Sequence, residues 1–226
     1  MQIDVTAVRD DLIKIGTAGN DILGANVENA ILTNAVSYDL TGNALDNALT
    51  GNAFANVLSG GGGSDTLRGA AGADLLTGGS GSDTFMFSPG DSGQASGFDQ
   101  IADYAKGLSG TGDLIDFSAM LTIGGSALVA TSAQASINQT SGIASFAASS
   151  GTTLTDALND VASRFTTAGD SLGEFAFFRI KEKGDYYLFI SDGVAGVDAN
   201  DVVVQLTGVS SIGAIDLSGG NLTVTL

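Results

Sequence analysis

The sequence contains no cysteine, no histidine and no tryptophan, and only one proline among its 226 residues. Without histidine or cysteine the chain cannot build a Ser-His-Asp triad, a thiol nucleophile, a disulfide framework or a zinc site with the usual ligands. Basic residues are also scarce, since 8 Lys and Arg stand against 25 Asp and Glu, which gives a net charge of −17. Because such a chain repels a phosphate backbone, no nucleic acid is expected as a partner.

Membrane and targeting signals are equally scarce. The first residues lack a basic region followed by an apolar one, and no later run approaches 18 apolar residues. We therefore expect no transmembrane segment and no Sec-type signal peptide. The apolar fraction of 43% is high enough for a packed core.

The acidic residues are almost all aspartate: 22 Asp against 3 Glu, in a chain with 33 glycines. Aspartate favours turns and holds a carboxylate close to the backbone. An Asp-rich, Gly-rich chain without cysteine suggests Ca²⁺ held by oxygen ligands. An acidic, turn-rich β protein from a salty habitat would have the same composition, so composition alone leaves both interpretations open.

A nine-residue period begins at Gly42. The chain divides there into GNALDNALT, GNAFANVLS, GGGGSDTLR, GAAGADLLT and GGSGSDTFM, which cover residues 42–86. Position 1 is always Gly, position 8 is always Leu or Phe, and position 6 is Asn47, Asn56, Asp65, Asp74 or Asp83. Such a register predicts a repeat architecture.

Each position of the nonapeptide has a physical interpretation. Glycines at positions 1, 2 and 4 permit positive φ and close backbone approach, so each unit is predicted to open with a tight turn. The last three residues, such as Thr66, Leu67 and Arg68, are predicted to form a short strand whose middle side chain points inward. Successive units would wind a spiral with two parallel sheets, because one unit cannot bury its apolar residue alone.

The turns of this spiral are predicted to bind metal. Alternate turns lie on the same edge, so Asp65 and Asp83, 18 residues apart, are expected to face each other across one gap. Carboxylates and backbone carbonyls form the hard oxygen cage that Ca²⁺ prefers. Since stacked aspartates repel each other without an ion, folding and metal binding are expected to be one equilibrium.

The segment resembles the RTX family, the repeats-in-toxin or haemolysin-type calcium-binding repeats, whose consensus nonapeptide is GGxGxDxUx. GGGGSDTLR and GGSGSDTFM match every specified position, and GAAGADLLT departs only at Ala70. The resemblance implies Ca²⁺ as the cofactor. The candidate metal ligands, including those of the following segment, are Gly60, Gly62, Asp65, Gly69, Ala71, Asp74, Gly78, Ser80, Asp83, Asp91, Asp99 and Asp113.

The units before Gly60 depart further from the consensus. They carry Asn at position 6 and Leu45 or Phe54 at position 4, which favours an Asn-lined continuation of the spiral whose amides bond along the turns as structure. An outlying GTAGNDILG (residues 16–24) keeps Asp21 and Leu23 at positions 6 and 8 and is a candidate for the start of the coil.

Residues 87–118 are similar to the segment that commonly closes an RTX spiral. The resemblance implies that its aspartates, Asp91, Asp99, Asp103, Asp113 and Asp116, include ligands of the last turns. We favour ligation for Asp91, Asp99 and Asp113 and a structural role for Asp116; ordinary turn and cap aspartates are the alternative. Across 42–116 nine Asp oppose Arg68 and Lys106, and a net charge of −7 there is hard to stabilise without cations.

The C-terminal region is predicted to be β-rich with one helix. Composition leaves residues 121–150 open between a flexible link and loosely patterned strands. TTLTDALNDVASRF places Leu154, Leu158, Val161 and Phe165 on one stripe, which predicts an amphipathic helix capped near Thr153 and packed on a sheet. GEFAFFRI, DYYLFISDG, DVVVQLTGV and LTVTL are predicted strands, with a hairpin turn at Lys183-Gly184.

The fold expected from the sequence is all-β dominated: a parallel β-roll followed by a small β-rich C-terminal domain with one amphipathic helix. Residues 1–41 would be a lead-in with one partial repeat, 42–118 the roll with its closing segment, and 119–226 the C-terminal domain. That last part is similar to the ends of RTX proteins, where the final residues commonly act as an uncleaved signal for type I secretion. The resemblance thus implies a type I secretion ABC transporter as a partner during export.

The expected function is that of a calcium-binding, non-catalytic protein that is secreted and lies outside the cell or on its surface. Catalysis is not expected, because the repeat register accounts for the aspartates and no motif supports a Ser-Lys pair with Lys106 or Lys181. Two alternatives remain. One is a self-assembling surface-layer or extracellular matrix building block, and the other is the tail of a larger secreted enzyme or toxin, or a module that binds a cell-surface polysaccharide.

Overall fold

The structure is a computed structural model. It describes residues 2–3, 12–15, 20–93, 97–105, 112–117, 122–123, 136–137, 144–145, 154–162, 174–179, 185–191, 197, 201–209, 215–218 and 221–224. Within these ranges no helix combines the length and the hydropathy needed to cross a membrane.

The described residues form twenty strands and one helix. In chain order they are β1 (Gln2–Ile3), β2 (Leu12–Ile15), β3 (Asn20–Leu23), β4 (Asn29–Leu32), β5 (Asp39–Thr41), β6 (Ala48–Thr50), β7 (Val57–Gly62), β8 (Thr66–Arg68), β9 (Leu75–Ser80), β10 (Thr84–Phe87), β11 (Asp99–Ile101), β12 (Leu114–Phe117), β13 (Thr122–Ile123), β14 (Ser136–Ile137), β15 (Ala144–Ser145), α1 (Leu154–Ala162), β16 (Glu174–Arg179), β17 (Tyr186–Ile190), β18 (Val202–Leu206), β19 (Ile215–Ser218) and β20 (Asn221–Val224).

Successive strands from β1 to β12 alternate between two sheets, as the nonapeptide predicts, while β14 and β15 form a separate two-stranded sheet. Sheet A has the order β1-β3-β5-β7-β9-β11-β18-β17-β16-β13, and sheet B has the order β19-β20-β12-β10-β8-β6-β4-β2. All pairs from β1 to β12 within these sheets are parallel. The chain therefore winds as a parallel β-roll, and the predicted fold class is confirmed.

The position-8 side chains form the core between the sheets. In sheet B the paired residues are Leu49, Leu67, Phe85 and Ile115, and in sheet A they are Leu40, Leu58, Leu76 and Ile101. All are buried. Because side chains alternate between the two faces of a strand, the flanking positions 7 and 9 lie on the outer surface of the roll.

The roll extends further toward the N-terminus than the nonapeptide pattern marks, since β3, β4 and β5 pair with β5, β6 and β7. The predicted register of GTAGNDILG is wrong by two residues. Asp21 pairs with Leu40, so it occupies an inward position 8, where the hydroxyl of Tyr38 donates to its carboxylate at 2.6 Å. Leu23 stays buried because a shift of two residues keeps a side chain on the same face.

The C-terminal strands extend both sheets. In sheet A β18 pairs in parallel with β11, followed by an antiparallel β18-β17-β16 meander; in sheet B β20 pairs with β12. The predicted strands are confirmed in these ranges. Phe175, Phe177 and Leu188 join the same core as the roll, so the roll and the C-terminal strands pack around one hydrophobic interior.

The predicted helix packs on this meander. Leu158 and Val161 of α1 are buried against Phe178, Phe189 and Val203. The helix cap at Thr153, the stripe residue Phe165, the turn at Lys183-Gly184, the candidate lysines Lys106 and Lys181, and most of 121–150 lie outside the described residues.

Candidate metal centre

The turns of the roll lie along two edges. Turns 42–47, 60–65 and 78–83 lead from sheet A to sheet B and form the first edge, while turns 51–56 and 69–74 lead back to sheet A and form the second edge. Position 6 of the repeat is the last residue of every turn.

The position-6 side chains form a ladder along each edge. On the first edge the backbone N–H of Asn47 donates to Asp65 at 2.7 Å, that of Asp65 to Asp83 at 2.8 Å, and that of Asp83 to Asp113 at 3.0 Å. On the second edge the N–H of Asn56 donates to Asp74 at 2.7 Å and that of Asp74 to Asp99 at 2.9 Å. In each case Oδ1 accepts the bond, so Asp65 and Asp83 face each other across one gap, as predicted.

Glycine at position 1 is required by this ladder. A β-carbon at Gly60 would collide with the Asp65 carboxylate and lie 2.6 Å from the carbonyl oxygen of Gly78. Positions 2 and 4 need glycine for a different reason, since φ is +106° at Gly61 and +102° at Gly63. Ala70 adopts φ +68° at position 2, a left-handed conformation that costs an alanine strain.

The two Asn-containing turns close their gaps with side-chain amides. The Nδ2 group of Asn43 donates to the carbonyls of Gly24 and Val27, both at 2.7 Å. On the second edge Nδ2 of Asn52 donates to the carbonyls of Asn34 and Val36, both at 3.0 Å. The predicted structural role of the position-6 amides is confirmed as well, since Nδ2 of Asn47 donates to the carbonyl of Val27 at 3.0 Å and Nδ2 of Asn56 to that of Tyr38 at 3.2 Å. We call turns 42–47 and 51–56 the amide-bridged turns.

The glycine-rich turns leave a carboxylate oxygen without a donor. In the amide-bridged turn the N–H of Asn43 donates to Oδ1 of Asn47 at 2.8 Å and closes the loop. In the turns 60–65 and 69–74 the corresponding oxygens, Oδ2 of Asp65 and Asp74, are buried and have no hydrogen-bond partner, and the same holds for Oδ2 of Asp99. Such an oxygen is costly to bury unless something positive binds it.

Burial of these carboxylates disfavours their ionised form. Burial is the largest cause that raises the pKa of Asp65 to about 6, of Asp74 to about 7 and of Asp99 to about 9, and neighbouring carboxylates add to it. The pKa of Asp113 is raised to about 6, and that of Asp83 is raised as well, for the same reasons. Backbone N–H donors oppose the shift without cancelling it.

This donor set fits a hard divalent cation. Buried carboxylate oxygens without a hydrogen-bond partner are ligands of the type that Ca²⁺ prefers, and a bound cation would favour their ionised form. Within the described ranges no three acidic side chains converge on one point, so an ion at these turns would draw its remaining ligands from backbone carbonyls. The side chains that would hold calcium are those of Asp65, Asp74 and Asp99. Oδ2 of Asp113 already accepts a bond from the N–H of Ala105 at 2.7 Å, so ligation by Asp113, like that by Asp83, stays a prediction.

The other predicted ligands are backbone donors at positions 1 and 3. Gly60, Gly69 and Gly78 lie directly against the position-6 carboxylates of their own turns. Gly62 and Ser80 are paired strand residues, and the carbonyl of Ser80 accepts a bond from the N–H of Gly63 at 3.0 Å. Ala71 lies in the turn that follows β8. Their ligation stays a prediction.

Asp91 lies outside both ladders. Its Oδ2 accepts bonds from Nε of Arg68 at 3.0 Å and from the N–H of Ser88 at 2.9 Å, and its Oδ1 accepts from the same guanidinium at 3.3 Å. Its charge still raises the pKa values of Asp74 and Asp99. The structure thus brings Asp91 near the second ladder but gives its oxygens a cationic partner. Asp116 lies within β12, in agreement with a structural role.

Two further residues close the ladders, Asp103, which was named but not favoured as a ligand, and Ser92, which the sequence reasoning missed. The carboxylate of Asp103 accepts bonds from the N–H groups of Gly78 and Gly79 at 2.9 and 2.8 Å and so ends the first edge. The hydroxyl of Ser92 accepts from the N–H of Asp99 and donates to the carbonyl of Val203, which joins the second ladder to β18. Asp103 was a candidate in the closing segment, whereas no signal in the sequence identifies Ser92.

Comparison with known protein families agrees with this geometry. A family model described as the RTX calcium-binding nonapeptide repeat (4 copies) matches residues 41–76 and 50–85. No curated protein matches the chain. The matched residues contain both amide-bridged turns and the glycine-rich turns, up to the end of the segment that carries Asp83, and the resemblance read from the nonapeptides is confirmed.

Proposed function

Because residues 41–85 are RTX calcium-binding nonapeptide repeats, we propose that this protein is a secreted, non-catalytic module whose roll folds when calcium binds outside the cell. In a cytosol with little free calcium, the buried carboxylates would oppose compaction, and the chain would stay exportable. At the higher calcium concentration outside, weak extracellular-type sites would fill and stabilise the roll by mass action.

The observation that carries the proposal is that three ladder carboxylates, those of Asp65, Asp74 and Asp99, each have a buried oxygen without a partner. Bound calcium would be the positively charged partner that these oxygens lack. The chain itself supplies the orientation, because a backbone N–H from the preceding coil fixes Oδ1 of each carboxylate and leaves Oδ2 for the ion.

Charge supports the same proposal. Of the basic residues in 42–116, Arg68 is already paired with Asp91, and Lys106 lies outside the described residues. The five ladder aspartates therefore have no described basic side chain bonded to them. Export through a type I secretion transporter and a location outside the cell follow as parts of the proposal, as does the absence of catalysis.

The test is a calcium titration followed by far-UV circular dichroism and isothermal calorimetry. We expect a gain of β structure on adding calcium, its reversal by chelator, and no comparable effect of magnesium, which demands a tighter octahedral site. A spectrum that is already fully β in chelator would contradict the proposal. Assays of glycan and ester hydrolysis on the folded protein test the non-catalytic part, and any turnover would contradict it.

A second candidate function is self-assembly of the roll into a surface layer or matrix. The observation that favours it is that β1 and β2 end sheets A and B at the same end of the roll, and terminal strands present backbone groups to a further strand. Light scattering with and without calcium separates the two functions. Calcium-dependent particles that grow with protein concentration support assembly, and a constant monomer mass contradicts it.

A further inference from the structure

The gap between turns 60–65 and 78–83 is lined by oxygens from both coils. A β-carbon placed on Gly60 would touch Oδ2 of Asp65, and it would lie 2.6 Å from the carbonyl oxygen of Gly78. The Asp65 oxygen is buried and has no hydrogen-bond partner. Because both oxygens border the space beside the same α-carbon, they are candidate ligands of one cation, a carboxylate and a backbone carbonyl of the kinds that Ca²⁺ prefers.

The carbonyl group of Gly78 belongs to a peptide unit that Asp103 holds from its other side. The N–H of Gly79 donates to Oδ2 of Asp103 at 2.8 Å. The peptide between Gly78 and Gly79 is trans, so its C=O and N–H groups point in opposite directions. The bond to Asp103 therefore fixes the direction of the Gly78 oxygen, which points toward the gap that contains Asp65.

Asp103 also takes the place of a strand carbonyl next to Gly78. At an earlier turn of the same edge, the N–H of Gly42 donates to the backbone carbonyl of Ser59 at 2.7 Å. The N–H of Gly78 donates instead to Oδ1 of Asp103 at 2.9 Å. Strand β11, the neighbour of β9 in sheet A, ends two residues before Asp103, so a side chain supplies the acceptor beyond the end of the strand.

Both oxygens of Asp103 thus accept bonds from the neighbouring turn, unlike those of Asp65. A hydrogen bond to a charged acceptor is stronger than one to a neutral oxygen, and it polarises the peptide group, which makes the carbonyl oxygen more negative. The Asp103 charge also raises the pKa values of Asp83 and Asp113, so this carboxylate lies close to the first ladder. Its bonds nevertheless direct it to the backbone of the turn.

We propose that Asp103 is a positioning residue for calcium bound between turns 60–65 and 78–83: it does not touch the ion, but it holds the Gly78–Gly79 peptide so that the Gly78 carbonyl faces Asp65. Groups that orient metal ligands matter for binding, and replacing them typically lowers the metal affinity about 10–100-fold. The inference rests on the proposed function, because it assumes that calcium fills this gap. It adds a residue of the closing segment that sets the affinity of a turn 25 residues before it.

The primary test compares calcium binding by Asp103→Asn and by the unchanged protein in isothermal calorimetry. The amide keeps one oxygen acceptor but loses the charge and the second acceptor. We expect the same number of bound ions and an affinity at one site that is lowered about 10-fold or more. Asp46→Asn is the matched control and should lower the affinity less. Asp46 lies on the same edge, accepts the N–H of Ser64 at 2.7 Å and raises the pKa of Asp65 by its charge.

Each outcome of this comparison decides the proposal. If Asp103→Asn lowers the affinity no more than Asp46→Asn does, the proposal is overturned, because the lost negative charge alone would explain the effect. Loss of one bound ion also overturns it and makes Asp103 a direct ligand. Either result leaves calcium binding by the roll in place. If the unchanged protein binds no calcium, the proposed function fails together with the inference.

A double-mutant cycle identifies the site through which Asp103 acts. Asp65→Asn removes the carboxylate on the other side of the gap, so adding Asp103→Asn to it should cause no further loss of calcium affinity. Combined with Asp74→Asn on the second edge, the effect of Asp103→Asn should add to that of the second substitution. Additive effects in both cycles overturn the proposal, since a general loss of stability would act on both edges alike.

A measurement on the unchanged protein keeps the test independent of how well the variants fold. Gly79 is exposed, so its amide hydrogen should exchange slowly in the calcium-loaded protein only if it is bonded to Asp103. NMR of the isotope-labelled protein in calcium should therefore show a protected Gly79 amide. Rapid exchange of this amide overturns the proposal, because Asp103 would then not hold the peptide.

Discussion

Replacing the Asp74 carboxylate with an amide should change the stability of the roll in opposite directions with and without calcium. Oδ1 of Asp74 accepts the N–H of Asn56 at 2.7 Å, and Asp74→Asn keeps that acceptor. Asn47 and Asn56 occupy position 6 of other coils, where Oδ1 accepts a backbone N–H of the same turn and Nδ2 donates to a carbonyl of the preceding coil, so the fold tolerates an amide at this position. What the substitution removes is a buried negative charge and a candidate calcium ligand.

The magnitude follows from the burial of this carboxylate. Burial raises the pKa of Asp74 from 3.8 to about 7, so above that pH the ionised form costs about 4 kcal/mol before solvent screening is allowed for. Halving this for screening leaves about 2 kcal/mol in favour of the amide in chelator. In calcium at roughly 1,000 times Kd, a filled site contributes about 4 kcal/mol that the variant lacks. Asp74→Asn should then be about 2 kcal/mol less stable than the unchanged protein.

The assay is the free energy of unfolding at a pH above 7 by circular dichroism, with urea in calcium and with trimethylamine N-oxide as the folding osmolyte in chelator. Asp39→Asn is the matched control, because it makes the same charge change on β5, outside both ladders. A variant that is less stable than the unchanged protein by the same amount in both conditions would refute the reasoning, since Asp74 would then act only through its hydrogen bonds.

Four further predictions concern neighbouring residues. In chelator the roll should gain stability as the pH falls from about 7 toward 3.8, because the folded state binds protons on Asp65 and Asp74 that the unfolded chain does not, and circular dichroism in a pH titration checks this; a loss of structure over that window would contradict it. Ala70→Gly should stabilise the calcium-bound protein by about 0.5–1 kcal/mol in urea unfolding, since the relief of the left-handed strain at φ +68° exceeds the added chain entropy, and a lower urea midpoint would count against it. Gly60→Ala should lower both the urea midpoint and the calorimetric calcium affinity, because its β-carbon meets the Asp65 carboxylate; an unchanged affinity would show that this contact does not shape the site. Asp91→Asn should leave the number of bound calcium ions unchanged and cost at most about 1 kcal/mol, as expected of a half-exposed ion pair with Arg68, and loss of one ion in calorimetry would instead make Asp91 a ligand.

The sequence predicts well the part of the fold in which each position of the nonapeptide has one structural role. Position 8 points inward at Leu67 and Leu76, position 6 enters a ladder at Asp65 and Asp74, and the strands are three residues long where the pattern requires it, as in β6 and β8. These properties depend on residues within one nonapeptide, and successive units show the same pattern. The period therefore predicts sheets, core and edges together.

The N-terminal register could not be predicted in the same way. In GTAGNDILG both Asp21 and Leu23 face inward, because side chains two residues apart lie on the same face of a strand. Spacing alone therefore does not decide which of the two residues occupies position 8. In the observed register the hydroxyl of Tyr38, which lies 17 residues away in sequence, donates to the Asp21 carboxylate at 2.6 Å. A non-local partner of this kind leaves no trace in the spacing of a single nonapeptide.

The closing segment shows the same limit at the site. Asp91 and Asp103 are both turn aspartates of the closing segment, yet Asp91 pairs with Arg68, 23 residues before it, and Asp103 accepts bonds from the N–H groups of Gly78 and Gly79. Which partner each carboxylate finds depends on how the last coil lies on the one before it. Once the period ends after residue 86, spacing no longer fixes that relation.

The two kinds of turn in the roll differ by a small chemical change at positions 2 and 6. Both kinds of turn bring a position-6 oxygen against the position-1 glycine, as Asn47 does at Gly42 and Asp65 does at Gly60. With Asn43 at position 2, a backbone N–H closes onto that oxygen and an amide bridges the coils. With Gly61 at positive φ, the oxygen of Asp65 is left without a donor and carries charge. A buried charge of this kind is stabilised when a proton or a divalent ion binds it, so we expect the turns of Asp65 and Asp74 to respond to calcium more strongly than the amide-bridged turns do.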